Sequence, residues 1–292
     1  MAQAKVGIIG GSGIYDLPGL TNLAEIRVAT PWGEPSDALR TGRIGDIDVV
    51  FLPRHGRGHR LSPSGINYRA NIDALKRCGV TDIVSLSACG SFKAELHPGV
   101  FVMVDQFVDR THGRESSFFG NGCVAHVSMA HPVAPLLQKQ LAEAAKAEGL
   151  AHKLGGTYVC MEGPQFSSLA ESMTYKGLGY DVIGMTAMPE AKLAREAEIS
   201  YATVAMVTDF DCWHPDHGNV DVASVIKVVK DNAHHATALV TRLLRDFPAE
   251  REACPAGSDR ALDFAIMTAP GERDAALLAR LDAVAGRVLK QA

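Results

Sequence analysis

No stretch of the 292 residues approaches the roughly 18 to 20 consecutive apolar positions that a membrane span needs, and no stripe of lysine or arginine runs along the chain. The 29 basic residues are scattered among 33 acidic ones, which leaves a net charge of -4 and no field to gather nucleic-acid phosphates. Neither nucleic acid nor a membrane is an expected partner. The cysteines, at 78, 89, 123, 160, 212 and 254, form no C-x-x-C pair and no metal-ligand rhythm; several sit in apolar runs, so buried reduced thiols are expected and metal is not. Met1 to Lys5 lead into a short apolar, Gly-rich run that lacks the length and cleavage site of a secretory signal, and a cytoplasmic location is expected. Internal repeats and low-complexity segments are also missing. With 47% hydrophobic and 21% charged residues the chain can bury a large core, which excludes disorder.

What is present is an alternation. Short apolar runs at Lys5 to Gly10, Val49 to Leu52, Asp82 to Ser87, Phe101 to Val104, Gly156 to Met161, Asp181 to Gly184 and Tyr201 to Val207 read as strands buried on both faces. Between them, helical patterns cover Tyr68 to Cys78, Pro132 to Glu148, Ser168 to Lys176, Met188 to Ala197 and Val220 to Leu244, the first three stopped by glycine. This order predicts one α/β domain with a mostly parallel or mixed sheet flanked by helices. After Pro270 an Ala-, Leu- and Arg-rich pattern, Ala275 to Lys290, predicts an appended amphipathic helix.

Six strand-end or turn motifs carry polar groups. Gly10-Gly11-Ser12-Gly13 follows the first strand and fits either an anion cradle or a tight turn; Asp16 stands where a dinucleotide fingerprint needs glycine. Pro53-Arg54-His55-Gly56-Arg57-Gly58-His59 places a guanidinium beside an imidazole, a donor set for phosphate or a solvated basic turn. His55 and His59 have helical metal-ligand spacing, but the two intervening glycines argue against a helix there. Ser87-Ala88-Cys89-Gly90-Ser91 is a small-residue segment read as a turn, for ligand approach or for packing. Met161 to Ser168 puts Glu162, a turn and Phe166 ahead of a helix whose Ser168 and Glu171 spell a capping box; Phe166 suits stacking on a flat ring. Gly184-Met185-Thr186-Ala187-Met188-Pro189-Glu190 offers a hydroxyl and an adaptable thioether at a helix start. Thr208-Asp209-Phe210-Asp211-Cys212-Trp213 sets two carboxylates at a strand end, which suits a metal, a structural turn or the donors of a heterocycle.

In order and spacing these six motifs resemble the trimeric purine nucleoside phosphorylase family, in its methylthioadenosine-cleaving branch, from about Lys5 to Ala269. The resemblance implies a nucleoside phosphorylase domain over residues 1–270, with 271–292 as a helical extension of the same domain. It implies phosphate held by Ser12, Arg54, His55, Ser87, the Ala88 N–H and Thr186, with serine at 12 and 87 where the family often has threonine. Phe166, Ser167, Met185 and His59 would contact or lie close to base and ribose, and Asp209 and Asp211 would face N7 and the 6-amino group of adenine. Val222, Val225 and Met267 match an apolar pocket for the methylthio group, although the two valines also suit plain core positions. Met267 and His126 would be lent by a neighbouring subunit of a homotrimer, or of a dimer of trimers. The segment His214 to Asn219 departs from the family pattern.

The implied reaction is phosphorolysis of S-methyl-5'-thioadenosine, with 5'-deoxyadenosine as a further substrate and inorganic phosphate as co-substrate, so no resident cofactor is expected. Asp209 in its protonated form would act as the acid toward N7, with Asp211 helping to set its pKa. The rival within the class is a phosphorylase of 6-oxopurine nucleosides or methylthioinosine, which would favour Asn over Asp at the base. Outside it stand a non-catalytic purine nucleotide sensor and a hydrolytic nucleosidase.

Overall fold

The computed structural model describes residues 3–289 apart from 12, 13, 15, 16, 18 and 216–221, and for 222–225 it describes the backbone alone. The chain runs through β1 (Lys5–Gly10), β2 (Thr21–Ile26), β3 (Leu39–Ile44), β4 (Ile47–Pro53), α1 (Tyr68–Arg77), β5 (Asp82–Ser91), β6 (Phe101–Met103) and β7 (Gln106–Arg110). It continues through α2 (Pro135–Ala147), β8 (His152–Leu154), β9 (Thr157–Met161), α3 (Leu169–Gly177), β10 (Val182–Gly184), α4 (Ala187–Glu196), β11 (Ser200–Asp209), α5 (Val222–Asp246), α6 (Ala275–Arg280) and α7 (Gly286–Leu289). All the strands belong to one mixed sheet, so the chain is a single α/β domain.

Every apolar run expected to be a strand is one. Of the strands not anticipated, β7 and β8 are short, β3 has buried positions broken by Arg40, Thr41 and Arg43, and β2 is exposed along most of its length, so its sequence carries no buried stripe to read. The helix stops follow one physical rule. Gly79, Gly149 and Gly179 take left-handed φ, and the residues after them bond back to Leu75, Ala145 and Tyr175, closing the last turns of α1, α2 and α3. For α3 the stop is Gly179 instead of Gly177, which is still helical. The expected helix from Ala275 to Lys290 is corrected: it breaks into α6 and α7 around a turn that buries Leu281, Val284 and Ala285. Packing of that turn into the core outweighs the helical propensity of an Ala- and Leu-rich segment.

One apolar cluster gathers α1, α4 and the C-terminal turn on one side of the sheet, and a second gathers α2 and α5 on the other. Among the described residues, no helix is long and apolar enough to cross a membrane. Cys89, Cys123, Cys160 and Cys254 are buried thiols as expected, whereas Cys78 and Cys212 are only partly buried.

The sheet's centre positions the site. β5 pairs with β11 in parallel along nearly its whole length, while its other edge is shared by two partners. β1 runs parallel to its first half, opposite Asp82 to Ser85, and β10 runs antiparallel to its end, opposite Gly90 and Ser91. The carboxyl ends of β1 and β10 therefore point at each other across a gap beside residues 86–89. Ligand sites in open α/β sheets form where neighbouring strands part in this way.

Candidate active site

A cavity of about 470 Å³ fills this gap. Gly11 from the end of β1, Arg54 and His55 after β4, Ser87 to Gly90 of β5, Met185 and Thr186 after β10, and Thr208, Asp209 and Asp211 from the end of β11 all line it, with His59, Met161, Pro164 and Phe166 at its walls. Five of the six motifs thus converge on one space, and the sixth reaches it through Gly11. Ser12 lies outside the described residues, as do the side chains of Val222 and Val225 and the segment 216–219.

One correction concerns the small-residue segment. Ser87 to Ser91 is no turn but the second half of β5, held by β11 on one side and β10 on the other. Its small side chains are what leave room. A Cβ on Gly90 would stand 2.8 Å from Asp209 Oδ1, and one on Gly11 would stand 2.3 Å from the Leu86 carbonyl oxygen, so neither position accepts a larger residue without movement.

The end of the cavity lined by Arg54, His55, Ser87 and Thr186 is less rich in donors than the Arg-His pair suggests. Arg54 is 1% exposed, and its guanidinium already donates four hydrogen bonds: Nε and Nη2 to the two oxygens of Glu190 (2.7 and 3.1 Å), Nη2 to Ser85 Oγ (2.6 Å) and Nη1 to the Leu86 carbonyl (2.9 Å). Among the described residues one of its five N–H groups has no acceptor, on Nη1, a nitrogen that lies beside Gly11. His55 Nδ1 donates to the Leu61 carbonyl at 2.8 Å. Burial, and after it the positive charge of Arg54, hold the ring neutral down to about 4, so near neutral pH Nε2 presents a lone pair. His55 stacks on His59 at 4.1 Å between centroids. Ser87 Oγ lies 3.0 Å from Tyr158 Oη and 3.5 Å from Thr186 Oγ1, which brings the hydroxyls of Ser87, on β5, and Thr186, at the start of α4, to the same wall.

At the opposite end stand the carboxylates. Asp209 accepts from Thr208 Oγ1 (2.7 Å) through Oδ2 and from the Asp211 N–H (2.8 Å) through Oδ1. Asp211 lines the cavity with its backbone in the left-handed region, φ 50°; the hydroxyls of Ser172 and Ser167 lie close enough to ease its ionisation, yet its buried Oδ2 has no partner at hydrogen-bonding geometry among the described residues. Both carboxyls are raised above the ordinary aspartate range, and burial is the main cause for each. Repulsion between the two, expected from their spacing, adds only a minor upward push on Asp209. Among the described residues no group of three or more His, Cys, Asp or Glu side chains is arranged to hold a metal.

Three expected contacts are not in this chain's cavity. Ser167 lies just outside, its carbonyl accepting from Cys212 Sγ and its hydroxyl turned to Met161 Sδ. His126 and Met267 are surface neighbours of one another, on segments joined by His126 N–H to the Ala265 carbonyl and Met267 N–H to the Val124 carbonyl. Met267 is 69% exposed there, next to Phe264 at 98%.

One residue with a large role went unnoticed in the sequence. Arg114, its side chain 2% exposed, donates to the carbonyls of Met185 (2.8 Å), Met188 (2.7 Å) and Glu162 (2.7 Å) and to the Glu162 carboxylate, so a single guanidinium fastens the two loops that bring Phe166 and Met185 to the cavity. Glu162 also accepts from the His112 N–H, which makes it a loop tie and not a cavity group. Only an Arg in an otherwise polar loop marked the place, and that pattern is too common to single out.

The chain matches the phosphorylase superfamily over residues 5–245. It is 71% identical over 290 residues to an S-methyl-5'-thioadenosine phosphorylase of Bradyrhizobium diazoefficiens, covering 99% of this chain and 100% of that one. A methylthioadenosine phosphorylase structure from an antarctic soil metagenomic library superposes with a TM-score of 0.89 at 46% identity, over 97% and 99% of the two chains. The Schistosoma mansoni methylthioadenosine phosphorylase in complex with adenine superposes with a TM-score of 0.81 at 40% identity, over 85% and 93%. The chain belongs to the phosphorylase superfamily and, within it, to the S-methyl-5'-thioadenosine phosphorylase family.

Proposed function

We propose that the chain catalyses phosphorolysis of S-methyl-5'-thioadenosine, giving adenine and 5-methylthioribose 1-phosphate. The observation that carries this reading is the polarity of the cavity. Hydroxyls and an arginine N–H gather at one end, two buried carboxyls raised toward neutrality stand at the other, and the space between suits a ribose.

Phosphate occupies the end formed by Arg54, His55, Ser87, Ala88 and Thr186, and Ser12, which follows Gly11 in the sequence, is the further hydroxyl of this reading. The Nη1–H of Arg54 and the hydroxyls donate to its oxygens, and the lone pair of His55 Nε2 accepts from its P–OH, which leaves an unprotonated oxygen to face C1'. As the bond from C1' to N9 breaks, the ring gains positive charge beside the anion and the base gains negative charge. Asp209, neutral, gives its proton to N7 and regains one from solvent; Asp211 accepts from the 6-amino group through its unpartnered oxygen. Phe166 and Met185 cover base and sugar, with His59 at the mouth.

The test is release of free base with and without phosphate from methylthioadenosine, 5'-deoxyadenosine, adenosine and inosine. Phosphate-dependent release from the first two is expected. Release without phosphate would make the chain a hydrolase, and release from inosine in place of methylthioadenosine would make it a 6-oxopurine enzyme.

The working unit in this reading is a cytoplasmic homotrimer. His126, Met267 and Phe264 are exposed on two backbone-paired segments and lie off their own chain's cavity, as residues lent to a neighbour would. Sedimentation should give three times the mass of 31.1 kDa, or a multiple of it, and Met267→Asp should reduce both that mass and the use of methylthioadenosine. A monomer with full activity would remove the shared site.

A further inference from the structure

Glu190 does not line the cavity, yet its carboxylate is among the most heavily engaged groups behind it. It lies one turn into α4 after Thr186 and is 1% exposed. Its oxygens accept four hydrogen bonds: two from Arg54, one from Ser85 Oγ (2.6 Å) and one from Tyr201 Oη (2.9 Å), whose oxygen in turn accepts from Thr203 Oγ1 (2.9 Å). A pair buried this deeply gives up hydration on both ions, and well-packed apolar side chains often stabilise a fold as well, so the pair is weak evidence of a purely structural role. Its position therefore asks for a reason beyond stability. The pair sits where β4 ends, beside β5 and at the start of α4, the same elements that present His55, Ser87 and Thr186 to the cavity.

We propose that Glu190 is a positioning residue for the anion end: it fixes the plane of the Arg54 guanidinium so that one Nη1–H faces the cavity. The anion then meets a donor whose direction is set before it binds, and the nucleophile is aligned by that hydrogen bond. The proposal rests on the reading of this end as the phosphate site.

Steady-state kinetics of the full chain tests it, with the KM for phosphate and for methylthioadenosine measured separately. Glu190→Gln should raise the phosphate KM by about 10- to 100-fold, the range set by hydrogen bonds to charged groups, and lower kcat, while the nucleoside KM moves less than about twofold. Ser85→Ala, which leaves the ion pair intact, should raise the phosphate KM by a few fold; it carries the test if Glu190→Gln does not fold. In Arg54→Gln/Glu190→Gln the phosphate KM should be no higher than that of Arg54→Gln alone, because Glu190 serves the anion only through Arg54. An unchanged phosphate KM in a folded Glu190→Gln or Ser85→Ala variant, an equal rise in both KM values, or additive effects in the double variant would each overturn it. Base release that needs no phosphate in the parent would instead overturn the reading of the cavity itself.

Discussion

Asp209→Ala is expected to lower kcat by about 10²- to 10⁴-fold, the usual contribution of a positioned general acid, with the phosphate KM nearly unchanged. The carboxyl stands at the end of β11, against Gly90 of β5, where burial raises its pKa and lets it keep a proton closer to neutrality than an exposed aspartate does. Two hydrogen bonds, from Thr208 and the Asp211 N–H, pull the other way and fix its orientation. An acid of this kind is active below its pKa and fails as the pH rises through it. Activity should therefore have an alkaline limb that Asp209→Asn flattens, because an amide donates at every pH while being a weaker acid. Asp211→Ala should instead raise the nucleoside KM, since the unpartnered Oδ2 is an acceptor for the base. A phosphate KM effect alone in Asp209→Ala would refute the acid role.

Arg54→Ala carries the second large effect, and it falls on two observables. Removing one partner of a buried pair leaves Glu190 charged and uncompensated, which costs about 3 to 5 kcal/mol, so the melting temperature should fall by several degrees. The phosphate KM should also rise steeply, because the variant loses the uncommitted Nη1–H and the wall that held it. Arg54→Ala/Glu190→Leu, in which both charges are gone, should recover much of the stability and none of the phosphate use. Recovery of phosphate use in that double variant, or equal phosphate saturation in Arg54→Ala and the parent, would show that the arginine serves the fold alone.

Much of this molecule can be read along the chain, and what can be read has a common cause. β1, β4, β5, β9, β10 and β11 lie inside the sheet and need apolar side chains on both faces, so each leaves an uninterrupted run. β2 is exposed and held by hydrogen bonds to β3 more than by burial, and backbone pairing leaves no mark on residue type. The site residues were legible for a related reason. Chemistry at a strand end needs glycine for close approach, hydroxyls and carboxylates in a row, and those residues stand out against an apolar run.

The sequence by itself determined the alternating α/β order, the helix stops at Gly79 and Gly149, the capping box at Ser168, and which side chains were available for an anion at one set of loops and for a base at another. Only the tertiary structure decided what those side chains can do. It made Ser87 to Ser91 a strand instead of a turn, broke the last helix around Leu281, committed four of the five Arg54 N–H groups to protein acceptors, turned His55 into an acceptor, and made burial the chief cause of the raised pKa values at Asp209 and Asp211. The reason is one of distance. Periodicity and capping are properties of residues a few positions apart, whereas Arg54 meets Glu190 across 136 residues and Asp209 meets Gly90 across the sheet, and desolvation is set by everything that surrounds a group at once.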